Sequence, residues 1–228
     1  MLEIPFLSSL ISSNPYNFKN FLPPSQYRPT EYKLNSNGYR TNEFKDIDWK
    51  ESVVIFGCSM VFGEGLDEEQ TISYQLSNII NRPVINMGSI GTSIQFSLYN
   101  AVVLKENFPT PKAVINLWTE ISRSTAFSTP KAKHYGAWDI PEGSFGDVWI
   151  QDVSHCEVNA KFAQIISKQF WKDANYFEAT FFKATRKALK CPHLRGHLNS
   201  TDYARDNKHP GPLATAGVAN RLAKELSL

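Results

Sequence analysis

Three short stretches hold residues that could do chemistry together. VVIFGCSMVFGEG (53–65) places Ser59 just past an apolar run and a glycine. ARDNKHPGP (204–212) places Asp206 three residues before His209, and INMGSIG (85–91) lies between them with Gly88 and Gly91. A serine hydroxyl is a poor nucleophile until a base takes its proton. An imidazole held at one ring nitrogen by a carboxylate, with the other facing the serine, is such a base. The Asp206–His209 spacing allows the first half of that arrangement on a turn. Glycine amides can donate to the oxyanion that forms when a serine attacks an ester.

Other readings of the glycine turn fit the residues less well. A P-loop needs Lys and then Ser or Thr directly after its glycine, but Gly63 is followed by Glu64, which would repel phosphates. A dinucleotide fingerprint would need a glycine where Glu68 stands, and a G-x-S-x-G elbow would need one where Val61 stands. Each residue also has a plain structural reading. Ser59 could cap a helix, and His209 could be a surface histidine before Pro210. Asp206 could serve a turn, and Gly88 and Gly91 could serve positive φ. Cys58 could be a thiol nucleophile, but a small cysteine at a strand end also serves as inert packing.

The elements that must position these residues follow from hydrophobic patterning. Val53–Phe56, Val84–Asn86 and Ala113–Trp118 are short continuous apolar runs, as in strands buried on both faces. Ile72, Leu76, Ile79 and Ile80, then Ile94, Leu98, Ala101 and Val102, recur at helical spacing between them. Strand–helix alternation predicts a parallel α/β sheet, and such sheets place their sites beyond the strands' C-terminal ends. Residues 124–154 read as irregular and rich in Tyr, Trp, Gly and Pro. Residues 156–190 read as helical, with Phe162, Ile165, Ile166 and Phe170, then Phe177, Phe181, Ala184 and Ala188, as apolar faces. Ala219, Leu222, Ala223 and Leu226 predict a closing amphipathic helix. Cys191–Leu194 is a weak candidate for a further strand. Residues 1–50, rich in Pro and Asn turn clusters, read as an arm packed on a domain spanning 51–228.

In this order the blocks resemble those of the SGNH (GDSL-type) hydrolases, over residues 53 to 226. VVIFGCSMVFGEG looks like the block that carries the nucleophile, NMGSIGTS like the block that supplies an oxyanion glycine, and DNKHP like the D-x-x-H block. LNSNGYRTNEF is similar to a segment that precedes the first block in bacterial and phage members. The resemblance implies a three-layer α/β/α, flavodoxin-like fold with a parallel sheet of about five strands. It implies Ser59 as nucleophile, His209 as base and Asp206 as its orienting acid. The amides of Ser59 and Gly88, or Gly91 in its place, would form the oxyanion hole. No cofactor is implied.

Two positions depart from the family pattern. Cys58 replaces an aspartate that is not a triad member. Glu120, after the third strand, stands where the family has an asparagine donor, and losing one such donor costs about 100- to 1000-fold in rate. Thr119 or a backbone amide is the expected substitute donor, and Glu120 is expected to turn away towards Arg123. Arg123, Glu120 and Trp118 are candidate substrate-binding residues, with Trp138, Tyr135 and Trp149 as further pocket aromatics. The implied activity is hydrolysis of a small-molecule or glycan acyl ester. Acyl transfer by the same machinery, or a catalytically dead module that binds a glycan or a protein, are the alternatives.

Composition bounds the rest. The 228 residues are 42% hydrophobic and 13% aromatic with a formal net charge of +2, which suits a packed domain and shows no basic stripe for nucleic acid. No run approaches the roughly 20 apolar residues of a membrane span, and Glu3 with no basic start argues against a signal peptide. Three cysteines without a CxxC pair fit a reducing, cytoplasmic setting. Cys191, His193 and His197, with His155 and Cys156, have zinc-type atoms but not a standard zinc spacing, so no metal site is expected. Oligomeric state is not legible.

Overall fold

The computed structural model describes residues 32–128, 131–136, 152–194, 202–206 and 208–227. Four parallel strands form the main sheet: β1 (Val53–Gly57), β2 (Val84–Gly88), β3 (Ala113–Trp118) and β6 (Asn175–Thr180), in the order β2-β1-β3-β6. Each residue of β1 and β3 is buried, as continuous apolar runs require when both faces are covered. Alternation divides the faces. Val53 and Ile55 pack with Leu76 of helix α2 (Ile72–Ile80) and with Val218 and Leu222 of the last helix, which spans Pro212–Leu226. Val54 and Phe56 pack on the other face with Ala101 and Leu104 of α3 (Ile94–Asn107), and with Tyr39, Phe44 and Trp49. Helices on both faces give three layers, and residues 32–50 supply part of the core themselves.

The order reverses between β1 and β3, because β1 is followed in sequence by its neighbour on one side and β3 lies on the other. That switch point opens a crevice at the C-terminal edge of the sheet. Ser59 leaves β1 into it, at the start of the short helix α1 (Ser59–Phe62). Gly88 ends β2 tight against that helix; a Cβ there would lie 2.4 Å from the Phe62 nitrogen and 2.8 Å from the Val61 carbonyl carbon. No side chain fits where α1 crosses β2.

Four expectations change. The described main sheet has four strands, not about five. Cys191–Leu194 makes only a single parallel bridge, Thr180 to His193, since Pro192 has no N–H to extend a ladder. Residues 124–135 are not irregular but an antiparallel pair, β4 (Ser124–Ser128) and β5 (Lys131–Tyr135). Thr125 anchors it, with Oγ1 2.6 Å from the Ser93 hydroxyl that caps α3 and 2.8 Å from His134 Nδ1. The stretch 156–190 is two helices, α4 (Val153–Phe170) and α5 (Lys183–Leu189), with strand β6 between them. The helix over Pro212–Leu226 is therefore α6. Finally, α4 buries Cys156, Ala160, Ala163 and Ser167, while Phe162 and Ile165 are exposed. Two stripes share the same helical period, and the small residues are the ones that let α4 lie close to α3 and α5. No helix among the described residues is long and apolar enough to cross a membrane.

Candidate active site

The strand-to-helix turn after β1 is held from outside by the segment around Asn-Gly-Tyr-Arg. Asn35 Oδ1 accepts from the amides of Asn37 and Tyr39, which folds that segment on itself. It delivers Arg40, 1% exposed, under the loop beyond α1. The guanidinium donates to the carbonyls of Phe62 (3.3 Å), Gly63 (2.9 Å) and Leu66 (2.9 Å), and to Glu68 Oε2 (2.7 Å). Gly63 closes α1 at φ 80°, where an L side chain would be strained. The loop then turns back so that Glu64, whose amide donates to the Ser59 carbonyl, faces the crevice.

The Asp206–His209 turn docks on this same loop. Arg205 donates to both carboxylate oxygens of Asp67, one at 2.9 Å, and its amide donates to the Gly65 carbonyl at 3.2 Å. Asp202 accepts from the Ala214 amide at the start of α6, tying the turn to that helix. Within the turn, Asp206 Oδ1 accepts from the amides of Lys208 (3.1 Å) and His209 (3.0 Å). Asp206 Oδ2 is hydrogen-bonded to His209 Nδ1. His209 Nε2 lies 2.8 Å from Ser59 Oγ, across 150 positions of sequence. These three side chains make one line of hydrogen bonds, ending in an open cleft of about 250 Å³ lined by Ser59, Glu64, Ile90, Gly91, Arg123 and His209.

The electrostatics suit a base. Burial alone would lower the His209 pKa, but the Asp206 hydrogen bond and the charges of Glu64 and Asp206 outweigh it and hold the imidazole above its ordinary value. Burial would raise Asp206, yet the side-chain and backbone hydrogen bonds of His209 keep it below the usual carboxylate range. Glu64 is pushed up, mainly by burial, with the His209 charge opposing.

Neither a protein-family model nor a curated protein matches this chain. Solved structures do. TesA is similar at a TM-score of 0.51 and 13% identity, covering 77% of this chain and 97% of that one. A candidate GDSL-like lipase from Bacteroides ovatus ATCC 8483 is similar at 0.51 and 14%, covering 78% of this chain and 54% of that one. The chain has the SGNH fold. At these identities the likeness concerns the fold alone, so what the crevice does rests on its own geometry.

Within the SGNH fold the other expected residues fall as follows. Gly88 does not offer its amide to the cleft, because that N–H donates to Asn86 Oδ1 at 2.9 Å. Asn86 is itself fixed by donating to the Val61 carbonyl and Ser73 Oγ. Gly91, at φ 71°, lines the cleft in its place. Trp118 is 1% exposed and donates Nε1 to Glu178 at 3.0 Å; it packs in the core under α4 rather than in the cleft. Thr119 is buried, its carbonyl accepts from Thr185, and its own Oγ1 has no partner among the described residues. Glu120 is 42% exposed at its side chain and stands 3.8 Å from Arg123 Nε. Arg123 reaches the cleft and lies over the Phe182 ring. Tyr135 ends β5, opposite Ser124, and Trp138, Trp149 and His197 lie outside the described residues.

Sequence reading missed Glu64 as a site residue. Its Oε2 is 3.5 Å from His209 Nε2. The signal was the Gly-Glu-Gly run itself, since two flanking glycines at φ 80° and 78° turn the carboxylate inward. Glu64, Asp206 and His209 bring ligand-type atoms within 4.8 Å of one another, but Asp206 and His209 are already committed to each other. His155, Cys156, Cys191 and His193 form no such group among the described residues. Burial pushes the Cys191 thiol up to about 12, so it stays protonated.

Proposed function

We propose that this protein is an SGNH-type serine hydrolase acting on short acyl esters of polar alcohols. The observation that carries the reading is the continuous Asp206–His209–Ser59 hydrogen-bond line opening into the cleft. Ser59 Oγ attacks the acyl carbon as its proton passes to His209 Nε2, and Asp206 steadies the imidazolium. Collapse of the tetrahedral species expels the alcohol, which takes the proton from His209. Water then attacks the acyl-serine with its proton moving to Nε2, and the second collapse releases the acid and returns the proton to Ser59.

The oxyanion donors are backbone amides of Ser59 and Gly91. As the first residue of α1, Ser59 has an N–H with no partner inside the helix. The unpartnered Thr119 hydroxyl at the end of β3 is the third donor. A cleft of about 250 Å³ with Ile90 as its one aliphatic wall among the described residues suits an acetyl-sized chain better than a fatty acid. Glu64 and Arg123 on its walls favour a hydroxylated alcohol such as a sugar. Three free, buried cysteines fit work in a reducing compartment such as the cytoplasm.

The test is labelling with a fluorophosphonate followed by peptide mapping, alongside p-nitrophenyl acetate and longer-chain esters. Modification at Ser59 with preference for acetate is expected. Ser59→Ala should cut hydrolysis by more than about a thousandfold, and Asp206→Asn should leave a measurable residue. Equal turnover by wild type and Ser59→Ala would remove the hydrolase reading.

A further inference from the structure

A second concavity lies away from the cleft's described lining residues. It measures about 520 Å³ and is bounded by Lys183, Arg186, Lys187, Lys190 and His193. The four cations occupy positions i, i+3, i+4 and i+7 along α5 and its cap, so they share one helical face. Like charges at those spacings repel and destabilise a helix. No ion pair among the described residues engages any of them; the nearby half-buried carboxylate, Glu178, pairs with Lys168 at 2.8 Å. Lys183 opens the helix. Lys190 closes it at φ 52°, a left-handed conformation that glycine adopts with less strain. His193 completes the wall, with its Nε2 3.2 Å from the Phe181 carbonyl. In a chain whose formal net charge is only +2, this is a costly concentration of like charge.

We infer that this cavity binds a small, multiply charged anion, such as a phosphorylated or sulfated molecule. Such a ligand would offset the repulsion along α5 and accept charge-assisted hydrogen bonds from several donors at once. The concave shape and a volume in the small-molecule range argue for a compact ligand over a duplex or a bilayer, which present broad surfaces. The five described lining side chains are four cations and an imidazole, whose aliphatic stems wall the cavity and whose charged ends select an anion. This site is independent of ester hydrolysis, and its test reads binding directly.

The probe is inorganic triphosphate, titrated calorimetrically into the full chain at low ionic strength. Three proteins are compared: wild type, Lys183→Gln/Arg186→Gln/Lys187→Gln, and a control that removes equal charge elsewhere, Lys45→Gln/Lys50→Gln/Lys112→Gln. Wild type and control should bind alike, while the cavity variant binds about tenfold or more weakly. If the triple variant does not fold by circular dichroism, Lys187→Gln alone should weaken binding in the same direction. No heat of binding to wild type, or equal weakening in variant and control, overturns the inference. So does cavity-dependent binding of anionic phosphatidylserine vesicles or an RNA hairpin without triphosphate binding, which would make the patch a macromolecular surface.

Discussion

At the scale of single residues, His209 sits between two carboxylates and a serine, and that fixes the sign of two pH effects. On the proposed mechanism, activity needs a neutral imidazole. With the folded pKa held above the ordinary value of about 6.5, the acid limb of kcat/KM should lie above that value. Stability runs the other way. Below the ordinary value, His209 is charged in both the folded and unfolded chain, and the contribution of its carboxylate partners is fully present. It is lost as pH rises through the raised folded value. Urea midpoints should thus fall over the window in which the rate climbs. Glu64→Gln removes one of the charges that raise His209, so the acid limb should move to lower pH; an unmoved limb would show that Glu64 does not reach the base. Thr119→Val should lower kcat by about 100-fold if its hydroxyl is an oxyanion donor, and a change under about threefold would take it out of the hole. Glu120→Asn should leave hydrolysis similar or modestly faster, since that carboxylate stands out towards Arg123. Loss of activity with circular dichroism unchanged would make Glu120 itself catalytic.

At the scale of elements, the turn that carries Ser59 is only as well placed as the parts that clamp it. Arg40→Ala would strand three buried carbonyls and the Glu68 carboxylate, at a cost of about 3–5 kcal/mol in a urea titration, with kcat falling as well. Arg40→Lys should be intermediate, because a point charge cannot reproduce the planar fork. These clamps show what was readable beforehand. Strands β1 to β3 and the last helix announce themselves by apolar runs and 3.6-residue spacing. The Ser59, Asp206 and His209 blocks were legible as residue types, and the structure brings their side chains together. Strand β6 was hidden, because Asn-Tyr-Phe-Glu-Ala-Thr carries a carboxylate mid-strand that its partners Lys168, Trp118, Gln164 and Tyr176 make tolerable. The outward stripe on α4 misled, since periodicity gives two faces and only packing chooses between them. Gly88 was read for its amide, whereas its local role is to be small; whether an amide is free depends on a partner, Asn86, that spacing does not reveal.

At the scale of the whole molecule, the exposed Phe162 and Ile165 lie on a helix remote in sequence from the nucleophile and base, so Phe162→Ser should leave ester hydrolysis unchanged and shift stability by no more than about 0.5 kcal/mol. A larger loss in thermal unfolding would mean that this face is covered in solution. The longer consequence comes from the 150 positions that separate Ser59 from His209. A ribosome adding roughly 5–20 residues per second makes the serine on the order of ten seconds before it makes the imidazole. During that interval β1 and its turn exist, but the hydroxyl is an ordinary alcohol, inert towards the cell's esters. On the proposed mechanism, Ser59 gains reactivity only once the Asp206–His209 turn has been made and docked through Arg205 on Asp67, so the hydroxyl stays quiet while the intervening chain is synthesised.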